Sequence, residues 1–170
     1  MLKRIQSLMK IRLLIVLLIF IFWSRLNFSQ EKPDNIVNVN LLSTSKSIET
    51  GSVFNLALSV NIKEGWHINS HKPLDPNLVP TTVKLKDTSA YKLKEIKYPQ
   101  PELKKLSFSK NELSLYEYEA VIKIQIVVDK NYNEKNLKLS GKIQYQPCND
   151  QTCLFPFSKD FSINLKINNK

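Results

Sequence analysis

Arginine is missing from everything after Arg25, glycine occurs three times, and cysteine and histidine twice each in 170 residues. Each shortage removes a class of function. A domain without guanidinium forks lacks the side chains that read base edges or clamp phosphates bidentately. With glycine only at 51, 65 and 141, neither a glycine-rich phosphate cradle nor a nucleophile elbow can be built. No Ser-His-Asp arrangement stands out. We therefore expect no nucleic-acid partner and no nucleotide chemistry.

Long apolar runs are equally scarce. One of them, Leu13 to Trp23, is eleven residues long, well short of the roughly 20 that span a bilayer as a helix. It follows Lys3, Arg4, Lys10 and Arg12 and turns polar at Ser24, which is the layout of an export signal. Ser29 is the best small residue to cut behind. We expect a signal peptide over 1–29 and an exported or periplasmic domain over 30–170. The alternative is an uncleaved leader, which would be the chain's one membrane attachment. The leader holds five of the 25 basic residues and none of the 15 acidic ones, so the +10 of the whole chain becomes +5 for the remainder. A mildly basic, lysine-only surface reads as a solvated exterior. About 141 residues suit one domain with a real apolar core.

What the chain does have is alternation. In SVFNLALSVNI, Phe54, Leu56, Leu58, Val60 and Ile62 share one face while Asn55, Ser59 and Asn61 take the other, the period-two pattern of a half-buried strand. IVNVNLL at 36–42, TTVKLK at 81–86, YKLKEIKY at 91–98, YEYEAVIKIQIVV at 116–128, NLKLSGKIQY at 136–145 and FSINLKI at 161–167 read similarly. Pro, Asn, Asp and Ser clusters at 71–80, 98–102 and 129–136 mark the joints. Seven or eight short strands without a long helix predict an all-β fold, an immunoglobulin-like antiparallel β-sandwich in a single domain.

Both cysteines fall in YQPCNDQTCLFP, Tyr145 to Pro156. A bridge closing about six residues contributes roughly 2 kcal/mol in the chain-entropy model, against about 4.7 for a hundred-residue loop. On spacing alone, a weak structural staple and a redox couple both stand. Strand parity adds a constraint. An unbroken hairpin with its tip at 149–152 would set Cys148 opposite Cys153 and Leu139 opposite Ser162, although Leu139, Ile143, Phe161, Ile163 and Leu165 all belong inside. The ladder must break. Pro147 and Pro156 cannot donate ladder bonds, so a bulge or irregular loop is expected to lift both sulfurs to one exposed rim, where another thiol can reach them.

His67 and His71 are four apart, but GWHINS reads as strand and HKPLDP as loop, which points the imidazoles apart and argues against a metal site. Trp66 and Tyr98 read as core or rim packing. Tyr145 borders the cysteine segment and is read as a core tyrosine or a shield for it. Glu117 and Glu119, alternating with Tyr116 and Tyr118, read as ordinary strand patterning.

The segment YQPCNDQTCLFP resembles the cysteine segment of the N-terminal periplasmic domain of DsbD, the thiol:disulfide interchange protein: a Tyr-Gln-x-Cys opening, then a second Cys and prolines. GWHIN at 65–69 resembles a Gly-aromatic-x-Ile segment near the start of that domain, and the likeness extends over about 35–168. It implies an immunoglobulin-like domain whose dithiol is reduced by the thioredoxin-like donor domain of a membrane electron carrier and passes electrons to oxidised periplasmic thiol proteins, with no cofactor. Because the chain stops at Lys170, the expected donor is a separate molecule. By resemblance, Cys153 forms the mixed disulfide with partners and Cys148 resolves it. The aromatic cap over the pair matches Phe108 in KLSFSKNELSLY, with Leu106 as the fallback. Lys104, Lys105 and Ser107 stand where that cap loop carries acidic neighbours. Four residues separate the cysteines, one fewer than in the best-known form, and Phe155 replaces the first of two prolines.

Overall fold

Alternation becomes twelve strands and one helical turn, α1 (Pro33–Ile36), among the described residues. The computed structural model describes residues 33–45 and 47–168 and, before these, Arg12 and Ile15 alone. Apart from those two positions, the expected signal peptide over 1–29 lies outside the described residues. Among these, no helix is long and apolar enough to cross a membrane.

Two four-stranded sheets form the sandwich. One runs in the order β1 (Val37–Ser43), β3 (Val53–Ile62), β9 (Glu119–Val128), β6 (Tyr91–Lys97). The other runs β2 (Ser47–Glu49), β12 (Phe157–Asn168), β10 (Asn136–Tyr145), β5 (Thr82–Leu85). Their ladders are antiparallel except β2–β12, which is parallel. Phe54, Leu56, Leu58, Val60 and Ile62 are all buried and meet Ile122, Ile124, Ile126, Leu137, Leu139 and Ile143 in one core. Ser59, on the opposite face of β3, is also buried, and its hydroxyl is satisfied by donating to Glu119 Oε1 at 2.8 Å. The chain is an all-β, immunoglobulin-like sandwich.

A third, smaller sheet accounts for most of the strands beyond the expected seven or eight. Its order is β11 (Pro147–Cys148), β4 (His67–Asn69), β8 (Leu113–Glu117), β7 (Glu102–Lys104). The run 116–128, expected as one strand, divides at Tyr118, whose φ of 55° lies in the left-handed region that a bulky residue rarely enters. This turn sends β8 into the third sheet and β9 into the sandwich. Gly65, at φ 77°, makes the comparable turn ahead of β4, and Trp66 N donates to Lys63 O across it at 3.0 Å. On one face of the third sheet Ile68 and Tyr116 join the main core. On its other face, Leu113, Leu115 and Cys148 form a second cluster with Leu106.

Candidate functional site

The break demanded by parity occurs one residue after Tyr145. β10 pairs with β12 from Asn136↔Lys166 through Leu139↔Ile163 to Tyr145↔Phe157. At Pro147 the chain leaves that ladder, and Cys148 pairs instead with His67 of β4 on one side and Cys153 on the other. The pairing Cys148↔Cys153 is offset by one residue from the β10–β12 register, which lets Leu139 and Ile163 face each other. The break is a change of sheet followed by an irregular loop over 149–152, the second of the two expected forms.

Cys148 and Cys153 are joined, with Sγ atoms 2.10 Å apart. Their loop is shaped by Asn149, whose Oδ1 accepts from Gln151 N and Thr152 N, each at 2.9 Å, an Asx-type turn. Leu154 N donates to Pro147 O at 2.8 Å, Gln146 Nε2 donates to Leu154 O at 3.1 Å, and the Ser107 hydroxyl donates to Asp150 O.

The two sulfurs are not equivalent, and this corrects the expectation that both stand on an exposed rim. Cys148 is 0% exposed, packed with Leu106, Leu113 and Leu115, whereas Cys153 is only half-buried beside it. The cause is the sheet change: it puts Cys148 in the third sheet, in one apolar cluster with Leu113 and Leu115 of β8 and with Leu106, which cover it. Phe155, two residues after Cys153, is 91% exposed.

Of the two cap residues considered, Leu106 (2% exposed) is the one packed against Cys148. Phe108, 41% exposed, lies in the same loop and lines a groove with Leu74, Leu78 and Leu113. Tyr145 is fully buried in the main core, edge-on to Phe157 with ring centroids 6.1 Å apart, and is not part of the cluster around Cys148.

Two polar side chains at the disulfide have roles there that spacing alone does not show. Asn69 Nδ2 donates to Val79 O at 3.1 Å and to Gln146 Oε1 at 3.0 Å. This fixes the amide so that its Oδ1 lies 3.9 Å from Cys148 Sγ. His67 stands between Cys148 and Glu117 in register across three strands. It is 3% exposed, and its Nδ1 donates to Glu117 Oε1 at 2.8 Å. Glu117 also takes Lys104 Nζ at 2.7 Å, so it is a partly buried ion-pair partner rather than simple strand patterning. An acid thus reaches the site from β8, although the cap loop itself carries lysines. Burial pushes the His67 imidazole below its ordinary pKa, and Lys104 adds to that, while Glu117 and Asp150 oppose it. The pairing of opposite-strand residues could have suggested this row only once β4 was known to lie between β8 and β11.

His71 is elsewhere. It stacks on Tyr98 with centroids 4.5 Å apart, and its Nδ1 is 2.6 Å from Tyr116 Oη. Tyr98 Oη in turn accepts from Val83 N at 2.9 Å. Among the described residues, no group of three or more His, Cys, Asp or Glu is arranged to hold a metal ion.

Comparison with known proteins settles the family. The model of the thiol:disulfide interchange protein DsbD, N-terminal, matches residues 20–165. The chain belongs to the DsbD N-terminal domain family. Two solved relatives share its fold. The reduced DsbD N-terminal domain of Neisseria meningitidis is 17% identical, with a TM-score of 0.52 over 80% of this chain and 90% of that one. The N-terminal periplasmic domain of ScsB from Proteus mirabilis is 16% identical, with a TM-score of 0.51 over 81% of this chain and 49% of that one. No curated protein matches. Membership of the DsbD N-terminal family, a periplasmic domain, together with the Cys148–Cys153 disulfide supports thiol–disulfide exchange as the chemistry of this site.

Proposed function

We propose that this domain is an electron relay: a thioredoxin-like donor domain of a membrane electron carrier reduces the Cys148–Cys153 disulfide, and the resulting dithiol reduces oxidised periplasmic thiol proteins. The single observation that carries the reading is the unequal burial of the two sulfurs. Exchange requires in-line approach of a thiolate to one sulfur while the other leaves. Cys153 offers that approach, and Cys148, sealed under Leu106, Leu113 and Leu115, does not. In the reductive half, the donor thiolate bonds to Cys153 Sγ and Cys148 leaves with the electron pair. In the other half, the Cys153 thiolate attacks a partner disulfide, and Cys148 then displaces the partner and closes the ring again. Two electrons pass in each half, and no cofactor takes part. The loop of Leu106 and Phe108 acts as the cap, opening as a partner docks. Tyr145 contributes by holding the end of β10 in the core.

A second reading is a non-enzymatic immunoglobulin-like binding module whose local disulfide fixes a loop. The Gln146 tether to Leu154, which fixes the chain just beyond Cys153, favours it. One trapping experiment separates the two. Reduced Cys148→Ala protein is mixed with an oxidised thioredoxin-fold protein. A persistent mixed disulfide at Cys153, absent with Cys153→Ser, supports the relay, and no adduct under conditions where free glutathione reacts supports the staple.

A further inference from the structure

The row across the third sheet is Cys153, Cys148, His67, Glu117, one residue on each successive strand or bridge. Directly opposed residues on antiparallel strands share a face, with Cβ atoms about 4.5–5.5 Å apart, so the His67 and Cys148 side chains leave the third sheet on the same side from neighbouring strands. The two imidazole nitrogens face opposite ways. Nδ1 is turned to β8 and held by Glu117 Oε1 at 2.8 Å. A carboxylate only accepts, so the proton resides on Nδ1 and the lone pair on Nε2. Nε2 is buried, has no hydrogen-bond partner, and is turned to the cysteine loop, 3.8 Å from Asp150 Oδ1.

We propose that His67 is the base that takes the proton from Cys148 when that thiol resolves a mixed disulfide. This inference rests on the exchange reading above and deepens it. A thiolate among leucines is costly, and Asn69 Oδ1, 3.9 Å from Sγ, accepts a hydrogen bond only from the protonated thiol. Cys148 therefore needs a nearby destination for its proton at the moment it attacks. In the step, the Cys148 S–H proton passes to His67 Nε2, and Cys148 Sγ bonds to Cys153 Sγ. The bond from Cys153 to the partner breaks, and the partner sulfur departs with the electron pair and is protonated by the imidazolium or by water. The charged and titratable groups facing the ring are Glu117 from β8, Asp150 from the cysteine loop, Lys104 from β7 through Glu117, and Cys148 itself. Glu117 and Asp150 stabilise the imidazolium while it carries the proton. Burial keeps the resting ring neutral and able to accept.

The test is two-step kinetics of the reduced full chain with dithiobis(nitrobenzoate). Attack by Cys153 releases the first thionitrobenzoate, and resolution by Cys148 releases the second. His67→Gln is expected to leave the first phase intact and to slow the second at least about tenfold near neutral pH, since general bases typically contribute more than that. The second phase should then follow the titration of an ordinary thiol. A second phase matching the unaltered protein in rate and pH profile overturns the role of His67. A missing first phase in the unaltered protein counts instead against the exchange reading. Imidazole nitrogen NMR on the unaltered, oxidised protein needs no variant: an Nδ1–H tautomer for His67 is expected, and an Nε2–H tautomer overturns the proposal.

Discussion

Reducing the bond should create two thiols of very different reactivity, and the size of the difference follows from what covers each. Cys153 is already partly in contact with solvent, whereas an alkylating reagent reaches Cys148 only after the cap loop lifts Leu106 off it. Returning one fully buried aliphatic side chain to water costs about 1.5–3 kcal/mol. At about 1.4 kcal/mol per factor of ten, that slows Cys148 by roughly 10- to 140-fold. The assay compares iodoacetamide rates of the single-thiol variants Cys153→Ser, which retains Cys148, and Cys148→Ala, which retains Cys153. In denaturant the two rates should converge. Equal rates in native buffer would refute the reasoning, because they would mean that Leu106, Leu113 and Leu115 do not gate access. Faster reaction at Cys148 would reverse the assignment of the attacking sulfur.

Other expected outcomes are independent of that one. His67 is buried with its pKa below the unfolded value of 6.5. The unfolded chain therefore binds more protons, and the stability this group contributes is present above about 6.5 and lost as pH falls from there toward the lowered folded value. Urea midpoints should decline below neutral pH, and the decline should be shallower in His67→Gln; an identical slope would contradict it. A Cβ at Gly141 would sit 2.6 Å from both Lys84 O and Phe161 Cζ. Gly141→Ala should thus destabilise by about 1–3 kcal/mol through overpacking, measured by denaturant unfolding, and a neutral result would count against the β5–β10–β12 packing. Phe155→Ser removes a 91% exposed ring beside Cys153. It should leave stability within about 0.5 kcal/mol and exchange with glutathione intact, while slowing exchange with a folded thioredoxin-like protein. Equal slowing with both would show that Phe155 does not contact partners.

The sandwich was legible because its signal is local. The alternating apolar positions of 54–62 are the ones in the core, and the need to bury Leu139 opposite Ile163 was enough to forecast a broken ladder at the cysteines. What replaced the ladder was not legible. A strand of two residues such as β11, or of three such as β4, has no period to read, and its partners come from segments some 50 to 80 positions away. The exposure of the sulfurs was misjudged for the same reason: the cover over Cys148 comes from Leu113 and Leu115, and the division of 116–128 at Tyr118 that frees β8 to supply it rests on one left-handed residue. Glu117 looked like an outward strand residue because His67 and Lys104, which hold it, are remote in sequence. The cap shows a finer limit. Leu106 and Phe108 lie two apart in one loop, and which of them turns inward depends on the Leu106–Ser109 turn rather than on hydrophobicity.

The most direct measurement of the central claim is the equilibrium potential of the Cys148–Cys153 couple, titrated against a glutathione or dithiothreitol series with a thioredoxin-like donor present. A relay must sit within reach of such donors and acceptors, so the account predicts a potential more oxidising than about −300 mV and ready reduction by the donor. A more reducing value, with the bond inert to the donor, would contradict it and leave the disulfide as a staple.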